Sequence, residues 1–270
     1  MYNEMDLTSV YAKLRRAKEH FETVDREITA WTNAGDDTFT IERSAYETRI
    51  GLIVHFHEPK PDFLRWTLII ADCVYNLRCS LDHLVYVAGK FETREMPTTD
   101  VDRNYFVIAN TEPEFWGESK GKLKGLSSTL IHAIERLQPY NRSHPVIPPP
   151  LTILQRFNNS DKHRLLQMAG AGITMNGISF VADSSLGQKF VLMNPEPVQD
   201  NDVICVIESS EPDPQLAFKY ALAGIEIALW HGLREGVTNP LLAHTGYRTL
   251  MPILINEVSF VVEQIKAAVL

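Results

Sequence analysis

From Phe63 to Lys90 the chain runs about 28 residues without a proline, and the first glycine in that stretch is Gly89. At 1.5 Å per residue a helix of that length spans roughly 40 Å, so the rest of the fold has to be built around it. Ile70, Val74, Leu77, Leu81, Leu84, Val85 and Ala88 recur at helical spacing and form one apolar stripe, which is expected to face the core. Ahead of it, Pro59 and Pro61 bar strand pairing and Asp62 supplies an N-cap. Gly89 is expected to close the helix. A second stripe is polar: Asp72, Asn76 and His83, spaced four and seven apart, lie roughly opposite the first. Arg78 and Asp82, four apart, fall between the two stripes.

Elsewhere the pattern alternates between the two periods. Leu7 to Thr32 reads as an amphipathic helix through Val10, Leu14, Ala17, Phe21, Val24, Ile28 and Trp31, stopped near Gly35. Thr38 to Glu42 and Tyr46 to His57 read as a pair of strands. Residues 91–124 are mixed, with a short strand at Tyr105 to Ile108 and a basic loop at Lys120, Lys122 and Lys124. Thr129 to Leu137 reads as helix, Ser143 to Pro150 as an extended spacer, and Leu151 to Met168 as helix again. From Ile173 the texture is that of strands: Ile178 to Ala182, Lys189 to Met193, Val203 to Glu208, Phe218 to Leu222 and Ile225 to Leu229. Tyr247 to Leu270 closes the chain with a helix returning to the first two. The expected fold class is therefore α+β: a core of long helices with a strand-rich insertion and a C-terminal β segment. Residues 1–270 form one domain, divisible into a helical part over 1–168 and a β-rich part over 169–270.

Composition excludes several functions. Lys+Arg 26 against Asp+Glu 34 leaves a net charge of −8, which argues against a basic surface along the whole length for gripping phosphates. Acids precede the first basic cluster at the N-terminus and no apolar run of ~18 residues occurs, so the expectation is a cytoplasmic protein that does not engage a membrane. The 3 cysteines, Cys73, Cys79 and Cys205, form no CxxC pair, and no cofactor is expected. His55 and His57 share a strand face but lack a third ligand, so no metal is expected either. His231 and His244 flank a loop. Gly-rich phosphate loops, GxSxG and HExxH are missing.

Chemistry concentrates on the long helix. The unit Asn76-Leu-Arg-Cys-Ser-Leu-Asp-His83 places a histidine five residues after Arg78. This R-x4-H spacing resembles the signature of HEPN-domain ribonucleases, with Cys79 standing where those enzymes usually carry a supporting polar residue. The stretch Ala71 to Leu84, with Asn159-Ser-Asp-Lys-His-Arg164 downstream, also resembles an uncharacterised bacterial family. The first resemblance implies a metal-independent endoribonuclease leaving a 2′,3′-cyclic phosphate, in a bacterial defence or toxin–antitoxin setting. It implies a homodimer acting on RNA, with an antitoxin or defence partner. Arg78 and His83 would then be catalytic. Residue types agree: an imidazole gives or takes protons near neutral pH, and a guanidinium fork matches phosphate oxygens. Asp72, Asn76, Asp82, Asp161, His163 and Arg164 would support them, and Lys162 and Arg164 would hold phosphate.

The same residues suit structural roles. Arg78 and Asp82 are spaced for an i,i+4 ion pair, and His83, Asn76 and Asp72 for a hydrogen-bonded network against Asp161 to Arg164. An ideal helix sets Arg78 and His83 about 140° apart, so a shared site needs arginine's reach, a second subunit or a break in the helix. The alternative function is a non-catalytic sensor or protein-interaction module.

Overall fold

The computed structural model describes residues 5–32, 39–46, 49–57, 62–93, 104–142, 149–163, 171–172, 189–192, 201, 203–208, 226–227 and 247–269. In chain order these form α1 (Thr8–Thr32), β1 (Phe39–Tyr46), β2 (Arg49–Phe56), α2 (Phe63–Thr93), α3 (Glu112–Lys122), α4 (Ser128–Arg136), a 3₁₀ turn (Pro139–Asn141) and α5 (Pro150–His163). They are followed by β3 (Ala171–Gly172), β4 (Lys189–Leu192), β5 (Val203–Glu208), β6 (Glu226–Ile227) and α6 (Tyr247–Val269).

α2 is the central element, as its length demanded. Asp62 caps it, accepting the Arg65 amide at 3.0 Å. Its stripe buries Leu77, Leu81 and Leu84 completely, and each such side chain contributes about 1.5–3 kcal/mol. α1 packs on α2 antiparallel, since Arg65 meets Glu27, Trp66 meets Trp31, and Cys73 reaches the Ala17 carbonyl. α5 and α6 pack on α2 as well, and α6 also touches α1, α4 and α5. Val258, Val261 and Val262 carry α6 into the same core.

The expected α+β class is overturned: the fold is mostly helical. An α+β domain buries one face of a sheet against helices. Here the described core comes from the helices and from residues around 104–126 and 137. β1, β2, β5 and β4 pair with one another, in that order and antiparallel, and the helices make no extensive contact with them. The expected strands over 178–182 and 218–222 lie outside the described residues, and only Glu226–Ile227 of the expected strand at 225–229 is described, paired to Ala171–Gly172.

Three local expectations also change. Tyr105 to Ile108 belongs to no regular element and joins no sheet among the described residues. Gly89 does not end α2, which continues to Thr93; the Leu126 side chain lies 2.6 Å from where a Cβ would stand, so glycine admits the 123–127 turn against the helix. Residues 112–122 form α3, with Thr111 as N-cap and Pro113 in the first turn. No helix among the described residues is long and apolar enough to cross a membrane.

Candidate functional site

The segment Asn104 to Ala109 decides how the polar stripe of α2 is used. Phe106, Val107 and Ala109 are fully buried and Ile108 nearly so, yet the segment belongs to no helix or ladder. Its backbone N–H and C=O groups therefore need partners from elsewhere, because an unpaired buried amide costs about as much as a lost hydrogen bond.

The Tyr105 amide donates to the Lys122 carbonyl at 3.3 Å, and side chains supply partners for Phe106, Val107 and Ala109. Arg78, 7% exposed, donates through Nη2 to the Phe106 carbonyl and, at 2.9 Å, to Asp82 Oδ1. The same Oδ1 accepts the Phe106 amide at 3.0 Å. Both backbone groups of residue 106 are thus taken by the i,i+4 pair of α2, and the carboxylate and guanidinium neutralise each other inside the contact. Gln138, fully buried, donates from Nε2 to the Val107 carbonyl at 2.9 Å and the Ile134 carbonyl at 3.0 Å, and accepts the Ala109 amide on Oε1 at 2.8 Å. Glu114 receives the Asn110 amide, and Thr152 of α5 donates to the Asn110 side chain at 2.6 Å. The result is a clamp: Arg78 and Asp82 of α2 and Gln138 just past α4 act as backbone partners for the buried segment, while α3 and α5 hold the exposed Asn110 that follows it.

His83 is separate from this clamp. It is half-buried on α2, about 140° round the helix from Arg78. Asn76 is buried and donates Nδ2 to the Asp72 carbonyl at 2.8 Å, one turn back on its own helix. The Asp72 carboxylate is exposed and lies close enough to act on His20. Burial, with Arg16 adding to it, holds the His20 imidazole below its usual value against the opposing pull of Asp72 and Glu19.

The structure brings Arg78 and Asp82 together and joins Asn76 to Asp72 through the backbone. Asp161, Lys162 and His163 fall in the last turn of α5, a helix packed on α2; their side chains, and Arg164, lie outside the described residues. His231 and His244 are likewise outside them. His55 sits between Asn201 Oδ1 and Glu42 Oε2, each at 2.9 Å. Burial pushes the Cys73 thiol up to about 12, far from the thiolate character a nucleophile needs.

No family model, curated protein or solved structure matches this chain. What the site can do is therefore argued from its own geometry. Sequence reading missed Gln138 and the role of 104–109. The available signal was Phe106-Val-Ile-Ala109, an unbroken apolar run too short for a helix and bounded by Asn104 and Asn110.

Proposed function

We propose that this chain is a cytoplasmic, non-catalytic sensor: a helical module that binds a ligand without turning it over, with the α2 polar motif serving the fold. The observation that carries this reading is the burial of Arg78, whose Nη2 is engaged and whose Nη1 is closed off from solvent. A phosphate clamp needs a guanidinium whose donors face the substrate, whereas Arg78 is 7% exposed and spends Nη2 on Asp82 and a buried carbonyl. Recognition falls instead to the outward face of α2, where Leu64, Leu68 and Tyr75 are 64%, 50% and 49% exposed; large apolar side chains sharing one exposed helix face mark interaction surfaces.

A second reading, the HEPN-like endoribonuclease with its homodimer and defence partner, draws on the half-exposed ring of His83 on the same helix. It requires Arg78 to leave the clamp. One experiment separates the two. Purified wild type, Arg78→Ala and His83→Ala are incubated with end-labelled RNA in EDTA, and each protein is melted. The sensor reading expects intact RNA throughout, a large loss of stability for Arg78→Ala, and a small one for His83→Ala. Cleavage by wild type alone, giving cyclic-phosphate ends while His83→Ala melts normally, establishes the ribonuclease.

A further inference from the structure

Around α2, at 100° per residue, Tyr75, Cys79, Asp82 and Tyr86 lie within about 60° of one another. This is the face turned away from the buried stripe. Asp82 draws a third tyrosine to it: by binding the Phe106 amide, it fixes Tyr105, 39% exposed, beside the helix. Each of the three rings carries an ammonium group. Lys13 of α1 lies 5.9 Å from the Tyr75 ring centre, Lys90 lies 4.3 Å from Tyr86, and Lys122 of α3 lies 4.9 Å from Tyr105. Four segments that are distant in sequence thus converge to alternate aromatic rings with cations on one surface.

Asp82 is paired with Arg78, and Glu118 with Lys122, whose ammonium is shared between that carboxylate and the Tyr105 ring; Glu92 accepts the Ser127 hydroxyl and keeps its charge. Asp72 stands at the margin, exposed. Lys90 and Lys120 are exposed as well, so lysines line this face beside its tyrosines on a chain whose net charge is −8.

We propose that this face binds single-stranded nucleic acid, with unpaired bases stacking on Tyr75, Tyr86 and Tyr105 and the phosphates running past Lys13, Lys90 and Lys122. The chemistry matches both halves of that ligand: bases stack on aromatic rings whatever their identity, and a cationic track follows the backbone. Tyr75 and Tyr86 are about 16 Å apart along the helix axis, a span that suits an extended strand. Duplexes, whose bases are already stacked, gain nothing from the rings. This inference rests on the sensor reading and names its ligand.

The test uses the full chain and fluorescent oligouridylate and oligothymidylate of about a dozen nucleotides, followed by anisotropy in EDTA, with the probe recovered afterwards on a gel. Tyr75→Ala and Tyr105→Ala alter exposed rings, and their melting temperatures are checked alongside. Expected are binding of one or both single strands over a matched duplex and weakening of at least about fivefold for each tyrosine variant. Affinity should also fall with salt at a log–log slope of about −2, as three phosphate contacts on a single strand give. Preference for one probe tells RNA from DNA. Absence of binding to either strand, duplex binding as tight as single-strand binding, or variants that bind like wild type overturn the proposal. So does a concentration-dependent dimer that Tyr75→Ala dissolves, which assigns the face to a second copy. A cleaved probe overturns the sensor reading instead, so the two failures are told apart.

Discussion

Two places in the molecule use an arginine and an aspartate to tie distant segments together, and they differ in what they hold. At the clamp, Arg78 and Asp82 bind the backbone of Phe106 within the core. At the junction of α1 and α6, Asp25 Oδ1 accepts the Tyr247 hydroxyl at 2.7 Å and Arg248 Nε at 2.6 Å, and Arg248 also reaches Thr29. There the charged side chains of Asp25 and Arg248 stay 40% and 41% exposed, and water replaces either partner cheaply. In the clamp the Arg78 side chain is only 9% exposed and the groups left behind are buried amides and carbonyls. The same two residue types therefore secure a buried segment in one place and trim a helix junction in the other.

The largest effect is expected from breaking the clamp. Asp82→Ala should cost about 3 kcal/mol, since it strands the buried Arg78 charge and the Phe106 amide, and Arg78→Ala about 2 kcal/mol, since the Asp82 carboxylate it leaves is 32% exposed and reaches water; urea unfolding measures both. A double-mutant cycle on the pair should show strong coupling, because the second substitution removes the charge that the first left unpaired. Gln138→Leu keeps the volume but abandons the Val107 carbonyl and the Ala109 amide, and should cost about 2 kcal/mol in the same assay.

The junction should respond weakly and with pH. Burial tends to raise the Asp25 carboxyl, but the Tyr247 hydroxyl and Arg248 outweigh it and hold it below the usual carboxylate value. A lowered folded pKa gives stability that is present above the unfolded value and lost as pH falls through the folded one. Asp25→Asn should therefore lose a few tenths of a kcal/mol at neutral pH after solvent screening, and the gap to wild type should close as the pH drops below about 4, seen by melting at several pH values. The smallest effect belongs to the pair of Arg65 and Glu27, 58% and 27% exposed: Arg65→Ala should leave the melting temperature close to that of wild type, and closer still in high salt.

The contrast also explains what the sequence made legible. α1, α2 and α6 were readable because their buried residues repeat at a helical period over 25, 31 and 23 residues, and the β1–β2 hairpin because Ile53 and His55 alternate with Val54 and Phe56. Periodicity reports which face is covered and says nothing of what a polar residue binds when its partner is backbone. Asp82 and Phe106 are 24 positions apart, and no side-chain pattern at residue 106 announces a need for a carboxylate. The run at 105–108 reads as a strand because a buried apolar segment whose backbone is met largely by side chains has the same composition as one satisfied by a ladder. Gly89 read as a stop signal because the close approach of Leu126 is a tertiary fact. Later strands promised a sheet packed on helices, but short apolar runs carry no information on whether a helix covers them.

The central claim is that Arg78 and Asp82 serve the buried segment rather than a reaction. Hydrogen exchange at the Phe106 and Ala109 amides, in wild type and in Asp82→Asn, tests it most directly. The account predicts that Phe106 loses protection first and most, while Ala109, held by Gln138, keeps more of its own. Unchanged protection at Phe106 in a variant as stable as wild type would contradict it and return the pair to the candidate chemistry of His83.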